Sequence, residues 1–137
     1  MTAPPLHGAL ESALYAEDLA AGTRFYHGIL GLPVLAQVEG RHVFFRSGAG
    51  VLLLFNPEET VQPPRNPALP VPAHGAHGPG HHCFAVAAAD LDAWRNHLQA
   101  EGVEIEADFS WPNGARSIYV RDPAGNSIEF ADPALWS

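Results

Sequence analysis

The sequence predicts an α+β fold made of two tandem βαβββ modules. The prediction depends on an internal repeat, because a strand-like segment that starts at Glu11 returns at His81, about 70 residues later. In both copies the strand leads to an aspartate, a helix-like run and a glycine that ends the run, Gly31 or Gly102. A repeat of this length in a chain of 137 residues indicates two halves of a single domain spanning 1–137.

The first module is expected at about 8–56 and begins with an apolar strand over 10–16. Asp18 is suited to cap the following helix, since its carboxylate can accept amide hydrogens of the first turn. The side of that helix expected to pack on a sheet comprises Leu19, Gly22, Tyr26, Ile29 and Leu30. Three further strands are predicted over 34–38, 42–46 and 51–55, with turns at Gly40 and at 48–50.

A proline-rich segment separates the two modules. Residues 56–79 contain seven of the thirteen prolines in the chain. Proline interrupts helices and central strands, so the segment at about 57–79 is predicted to be a long crossover. It could also serve as a flap over a site.

The second module is expected at about 80–132 and repeats the order of the first. A strand over 81–86 precedes a helix that is predicted to be capped by Asp90 and to carry Leu91, Trp94 and Leu98 on its apolar side. Strands then follow over 103–109, 115–121 and 126–131. The sequence Asp-Pro-Ala-Gly over 122–125 predicts a tight turn between the last two strands.

The composition excludes several classes of function. The net charge is −8, with seven arginines and no lysine, which argues against a nucleic acid partner. The missing lysines also exclude Schiff-base chemistry, and the single cysteine excludes an internal disulfide framework. No basic, apolar leader and no membrane-spanning run is evident, so we expect a soluble, cytoplasmic protein with no membrane partner.

Several segments together resemble the vicinal oxygen chelate superfamily, which includes glyoxalase I, bleomycin-resistance proteins, fosfomycin-resistance thiol transferases, methylmalonyl-CoA epimerase and extradiol dioxygenases. The matching segments are 11–19, 25–32, 80–86 and 121–129. The last is the most specific, because it combines an Asp-Pro-x-Gly-Asn turn with Glu129, four residues after Gly125. The resemblance implies a curved mixed sheet around one divalent metal, with one ligand from the first and last strand of each module.

Carried over residue by residue, the resemblance implies that Glu11, His81 and Glu129 are metal ligands. The fourth position falls on Leu53, which cannot bind a metal. The result is a three-ligand site with positions open to water or substrate, as a catalytic metal requires. Two carboxylates and an imidazole balance the charge of a divalent ion and suit Mn, Fe, Zn, Ni or Mg. No other cofactor is expected.

Glu129, itself one of these ligands, and Tyr119 are predicted to be catalytic. Glu129 is a candidate for proton transfer, as is Glu11. Tyr119 matches a tyrosine of the dioxygenases and fosfomycin enzymes, and its hydroxyl could orient a metal-bound oxygen. The alternative is that Tyr119 is only a half-buried aromatic residue of the strand.

Two neighbours of His81 are not expected to take part in the chemistry. Strand alternation sends His82 to the face opposite His81. Cys83 shares the parity of His81, and the expectation is a small core residue rather than a nucleophile.

Three classes of function remain open. We favour a metal-dependent enzyme acting on a small oxygen-chelating substrate through a stabilised enolate or oxyanion. The alternatives are a ring-cleaving dioxygenase, supported by Tyr119 and weakened by Glu11, and a non-catalytic binding protein like those of bleomycin resistance. Glyoxalase I itself is disfavoured, because Leu53 replaces a usual ligand and no basic cluster for glutathione is evident. A homodimer is expected, with sites formed within one chain or across two.

Overall fold

The computed structural model describes residues 2–137 of the chain. In the first module the elements are β1 (Glu11–Tyr15), α1 (Leu19–Thr23, continued by a π-helical stretch Arg24–Ile29), β2 (Val34–Val38), β3 (His42–Ser47) and β4 (Gly50–Phe55). A short helix, α2 (Pro57–Thr60), opens the crossover. The second module contains β5 (His81–Ala85), a 3-10 turn (Ala88–Asp90), α3 (Leu91–Ala100), β6 (Ala107–Ser110), β7 (Arg116–Arg121) and β8 (Ser127–Ala131), followed by a 3-10 turn (Pro133–Trp136).

The strands form two four-stranded mixed sheets of identical topology. The order is β1-β4-β3-β2 in the first sheet and β5-β8-β7-β6 in the second. In each sheet the first and fourth strands of the module pair in parallel and the other pairs are antiparallel. The predicted α+β class and the two tandem βαβββ modules are confirmed. Within one chain, however, the strands form two separate sheets rather than one continuous curved sheet.

One hydrophobic core lies between the modules. Side chains of the first sheet contribute Leu14, Val43, Phe45, Leu52 and Leu54, and those of the second contribute Ile118, Val120, Ile128 and Phe130. The helices add Phe25, Tyr26, Leu30, Leu91 and Leu98 to the same cluster. Because side chains alternate along a strand, the residues between these core positions project from the outer face of each sheet. The two outer faces therefore point away from the core that the modules share.

Three local predictions were wrong in detail. Asp90 makes no capping bond with its side chain, and the 3-10 turn before α3 takes the place of a cap. The crossover does contain helix: Asn56 accepts a hydrogen bond from the amide of Glu58, and Pro57 occupies the first turn of α2, where proline is tolerated. The strand expected from Val103 begins only at Ala107, because the preceding apolar residues pack on the core instead of pairing.

A hydrogen-bonded turn fixes the second sheet to the first module. Asp122 accepts hydrogen bonds from the amides of Ala124 and Asn126, and its other oxygen accepts one from the Tyr26 hydroxyl at 2.6 Å. The Asn126 side chain donates to the Tyr15 carbonyl and accepts from the amide of Gly80. Because Gly80 precedes β5 and Asn126 precedes β8, this network sets the relative position of the two strands.

Among the helices of residues 2–137, none combines the length and the apolar character that crossing a membrane requires.

Candidate metal centre

Strand pairing places four side chains singled out by the sequence on the outer face of the second sheet. Cys83 of β5 is paired with Glu129 of β8, which is paired in turn with Tyr119 of β7. His81, two residues before Cys83, lies on the same face. This face therefore holds two of the three predicted ligands and both predicted catalytic residues.

His81 and Glu129 form a pair suited to share a cation. The Nε2 atom of His81 lies 3.3 Å from Oε1 of Glu129. Two metal bonds of about 2.0–2.2 Å at a tetrahedral angle separate their donor atoms by roughly 3.4 Å, so the two atoms can bind one ion. The Nδ1 atom of His81 lies 3.0 Å from the Ser127 carbonyl oxygen, which can only accept. In the neutral imidazole the proton is therefore on Nδ1, and the Nε2 lone pair faces Glu129.

Glu129 is oriented by a chain of two hydrogen bonds, one buried and one partly buried. Its side chain is almost fully enclosed, with 5% of the residue exposed, whereas the His81 side chain is 51% exposed. The Ser117 hydroxyl donates to Oε2 of Glu129 at 2.6 Å, and the Trp111 indole donates to the Ser117 oxygen at 2.8 Å. One carboxylate oxygen is thus engaged by the protein, and the other is directed at the imidazole.

The environment keeps Tyr119 and Cys83 protonated. Burial, reinforced by the charge of Glu129, raises the pKa of the Tyr119 hydroxyl to about 12. The same two causes raise the pKa of the Cys83 thiol to about 12. Tyr119 is therefore a hydrogen-bond donor at neutral pH, with its ring stacked on His81 at a centroid distance of 6.2 Å. A thiol with this pKa is a poor nucleophile.

Glu11 and Leu53 lie on the outer face of the other sheet. Glu11 is exposed at the start of β1 and is paired with Val51 of β4. Leu53 lies two residues after Val51, on the same face, and is 9% exposed. Within residues 2–137, Glu11 joins no group of three metal-binding side chains with His81 and Glu129. A single chain therefore brings His81 and Glu129 together and leaves Glu11 on the separate outer face.

The structure also brings together a Glu-Glu-His group of metal-binding type that the repeat did not reveal. In Glu17, Glu58 and His77 the ligand atoms lie within 4.8 Å of one another, and all three residues are exposed. His77 Nε2 is 3.3 Å from Glu58 Oε1, at the edge of a cleft of about 330 Å³. The three residues come from the β1–α1 loop, α2 and the crossover, so no spacing in the sequence relates them. The presence of two histidines near the end of the crossover was the sole signal.

The outer face of the first sheet is lined by aromatic and basic groups. His42 stacks on Phe44 at 4.0 Å, and Phe55 meets His42 edge-on. Arg46 is paired with Val51, which is also the pairing partner of Glu11, so Arg46 and Glu11 share this face. Within residues 2–137, Arg41 and Arg46 form no ion pair with a carboxylate.

The sequence over residues 8–130 matches the family model described as the Glyoxalase/Bleomycin resistance protein/Dioxygenase superfamily. The chain belongs to this superfamily. The match covers β1 to β8 almost completely and includes every residue of the outer face of the second sheet named above. The resemblance deduced from the motifs is thus confirmed at the level of the family. No curated protein is significantly similar to the chain in sequence.

Solved structures of this superfamily have the same fold. The chain is similar to a structure described as lactoylglutathione lyase from Agrobacterium tumefaciens, with 41% identity, a TM-score of 0.92 and coverage of 98% of this chain and 99% of the other. A glyoxalase/bleomycin resistance protein/dioxygenase from Nocardioides is 22% identical, with a TM-score of 0.71 and coverage of 96% and 85%. The fosfomycin resistance protein FosX from Mesorhizobium loti is 20% identical, with a TM-score of 0.64 and coverage of 93% of both chains. The last two show the fold alone.

Proposed function

We propose that the chain is a divalent-metal-dependent enzyme acting on a small substrate with adjacent oxygen atoms. The observation that carries the proposal is the pair formed by His81 Nε2 and Glu129 Oε1 at 3.3 Å, with the imidazole tautomer set by the Ser127 carbonyl. An imidazole held in this way by a backbone carbonyl is typical of metal ligands. The ion, whose identity is open among Mn, Fe, Zn, Ni and Mg, would take Glu11 as its third protein ligand.

We infer that Glu11 reaches this ion from a second copy of the chain. Both ligand-bearing faces point away from the shared core, so the two half-sites of one chain lie on opposite sides of it. In a twofold dimer the Glu11 face of each copy can cover the His81 face of the other, which forms two equivalent sites. Large exposed apolar residues on the chain, Leu10, Val38, Phe109 and Trp136 among them, also favour association.

The residues of the site divide the chemistry between them. A bound divalent ion would polarise the substrate oxygens and stabilise negative charge on an enolate or oxyanion. The carboxylates of Glu129 and Glu11 are the groups assigned to move a proton, since the Cys83 thiol is held protonated. Tyr119 donates a hydrogen bond to a substrate oxygen. Arg46, on the face that carries Glu11, suits a substrate with a negative charge.

A lyase or isomerase is the reaction class that we favour. The relative that is 41% identical over nearly the whole chain is described as lactoylglutathione lyase, which supports this class. Ring-cleaving dioxygenases use two histidines and one carboxylate for Fe(II), whereas the set proposed here has one histidine. The position of Tyr119 beside Glu129 keeps the dioxygenase as the second candidate.

Metal content measured after identical chelator-free purification tests the site. His81→Ala should bind the ion at least about 10-fold more weakly than wild type, because it removes the imidazole ligand. Leu53→Ala and His82→Ala should retain the metal, since Leu53 has no donor atom and His82 lies on the opposite face of β5. Equal metal content in wild type and His81→Ala would refute the proposed centre and favour a non-catalytic ligand-binding protein.

Two assays separate the reaction classes. The lyase proposal predicts metal-dependent, reversible conversion of lactoylglutathione into glutathione and methylglyoxal, even though the chain has no evident basic cluster for glutathione. The dioxygenase alternative predicts oxygen consumption with catechol and Fe(II). If the protein binds metal through His81 but converts neither compound, the proposed metal centre stands and both of these substrates are ruled out.

A further inference from the structure

We propose that Ser117 and Trp111 are positioning residues that hold Glu129 with one oxygen directed at the metal. The inference rests on the metal centre proposed above. It follows from the unequal environments of the two carboxylate oxygens. Oε2 is bound by the Ser117 hydroxyl at 2.6 Å, whereas Oε1 is the atom 3.3 Å from His81 Nε2.

The direction of each hydrogen bond in this chain is fixed by chemistry. An indole N–H can only donate, so the Ser117 oxygen accepts from Trp111 at 2.8 Å. A serine hydroxyl has a single hydrogen, and a carboxylate can only accept, so that hydrogen is directed at Glu129. Trp111 therefore orients Ser117, and Ser117 orients Glu129.

Both partners of this contact are buried. Ser117 is 0% exposed and Glu129 is 5% exposed, so bulk water has little access to Oε2. Without the hydroxyl, Oε2 loses its buried donor and the carboxylate becomes free to rotate toward the ion with both oxygens. The geometry thus assigns Ser117 the task of holding Oε2, so that Oε1 would be the Glu129 atom presented, with His81, to a bound divalent ion.

A purely structural role for Trp111 is the competing explanation. The turn between β6 and β7 is already closed by backbone hydrogen bonds, from the Trp111 amide to the Ala115 carbonyl and from the Gly114 amide to the Trp111 carbonyl, both at 2.8 Å. The indole N–H is not needed for that turn. Its effect on Glu129 can therefore be measured separately from folding.

The test uses full-length, metal-stripped protein titrated with Co(II), whose visible spectrum reports coordination number, and with Zn²⁺ by calorimetry. Ser117→Ala should weaken metal affinity by about 10–100-fold and change the cobalt spectrum. Ser117→Thr, which keeps the hydroxyl, should restore both. Trp111→Phe should weaken affinity less, because Ser117 remains but is no longer oriented.

Controls separate the outcomes. Ser110→Ala removes an exposed hydroxyl at the end of β6, and it should leave affinity and spectrum unchanged. Thermal unfolding of each metal-free variant shows whether a change in metal affinity results only from loss of the fold. If Ser117→Ala does not fold, the metal affinity and cobalt spectrum of Trp111→Phe test the inference. Wild-type affinity and spectrum in the folded Ser117 or Trp111 variants would overturn this inference. Absence of His81-dependent binding in wild type would instead overturn the metal centre itself.

Discussion

Tyr26 shows how one hydroxyl can join the two modules. It is completely buried, and its hydroxyl donates to Asp122 in the turn between β7 and β8. Burial, followed by the charge of Asp122, raises the pKa of Tyr26 well above its usual range, so the group remains a donor. Within residues 2–137, Tyr26 is the donor from the first module to Asp122, whose other donors are Ala124 and Asn126 of its own turn.

We expect Tyr26→Phe to lower the free energy of unfolding by about 1.5–3 kcal/mol, since it leaves a buried carboxylate short of one charge-assisted hydrogen bond. Urea denaturation of wild type, Tyr26→Phe, Asp122→Asn and the double variant measures the coupling between the two side chains. Additive effects of the two substitutions would show that this hydrogen bond does not hold the modules together.

At the scale of residues, alternation along strands was a reliable guide. It placed His81 and Glu129 on one face and His82 on the other, where His82 contacts Ser12 of the first module. Ser117 was overlooked although it has the same parity as Tyr119, because a serine in an apolar strand carries no chemical signal of its own. The distance between His81 and Glu129 could not be deduced, since it depends on the parallel pairing of β5 with β8.

At the scale of secondary-structure elements, the packing of β3 depends on the protonation state of His42. His42 lies at its start, stacked on Phe44 and enclosed by Phe55. Burial, followed by the charges of Arg41 and Arg65, lowers the pKa of His42. Arg41 also donates a hydrogen bond to its Nδ1 atom at 2.7 Å, which requires the neutral imidazole.

Because the pKa of His42 is lower in the folded state, the unfolded state binds more protons and acid destabilises the fold. The contribution of neutral His42 to the free energy of unfolding should be fully present above the reference histidine pKa of about 6.5. It should decline as the pH falls toward the pKa of His42 in the folded state. His42→Phe, which keeps a flat ring against Phe44, should reduce this decline. Urea midpoints at about pH 5 and about pH 7.5, compared with an exposed-histidine control, His7→Phe, provide the measurement. An unchanged pH dependence in His42→Phe would assign the effect to another group.

The differences between expected and observed elements have physical causes. The π-helical stretch after α1 and the late start of β6 both depend on how side chains pack on the common core, which periodicity cannot report. Arg116 lies on the helix side of β7, where it donates to Asp108 at 2.8 Å and to Asp92 at 2.6 Å. Neighbouring Ser117 has the outward position.

For the whole molecule, the repeat predicted the number of modules but not how they face each other. Two βαβββ units can pack with their ligand-bearing faces together or with their apolar faces together, and both arrangements preserve the alternation seen in the sequence. The apolar faces are the larger source of burial free energy, and in this chain they form one core. The ligand-bearing faces consequently lie outside this core, which is why we propose that a second molecule completes the site.

A complementation experiment tests this arrangement directly. Homodimers of Glu11→Ala lack the carboxylate in both sites, and homodimers of His81→Ala lack the imidazole in both. In a mixed dimer one site combines Glu11 from the His81→Ala chain with His81 and Glu129 from the Glu11→Ala chain, and the other site lacks both ligands. Sites shared between copies therefore predict that co-expressed, doubly tagged heterodimers recover about half of the wild-type metal content, one ion per dimer in place of two. Sites formed within one chain predict no recovery, since each chain then carries its own defect. Light scattering at micromolar concentration provides the companion measurement, and a strictly monomeric wild-type protein that still binds metal through His81 would contradict the shared site.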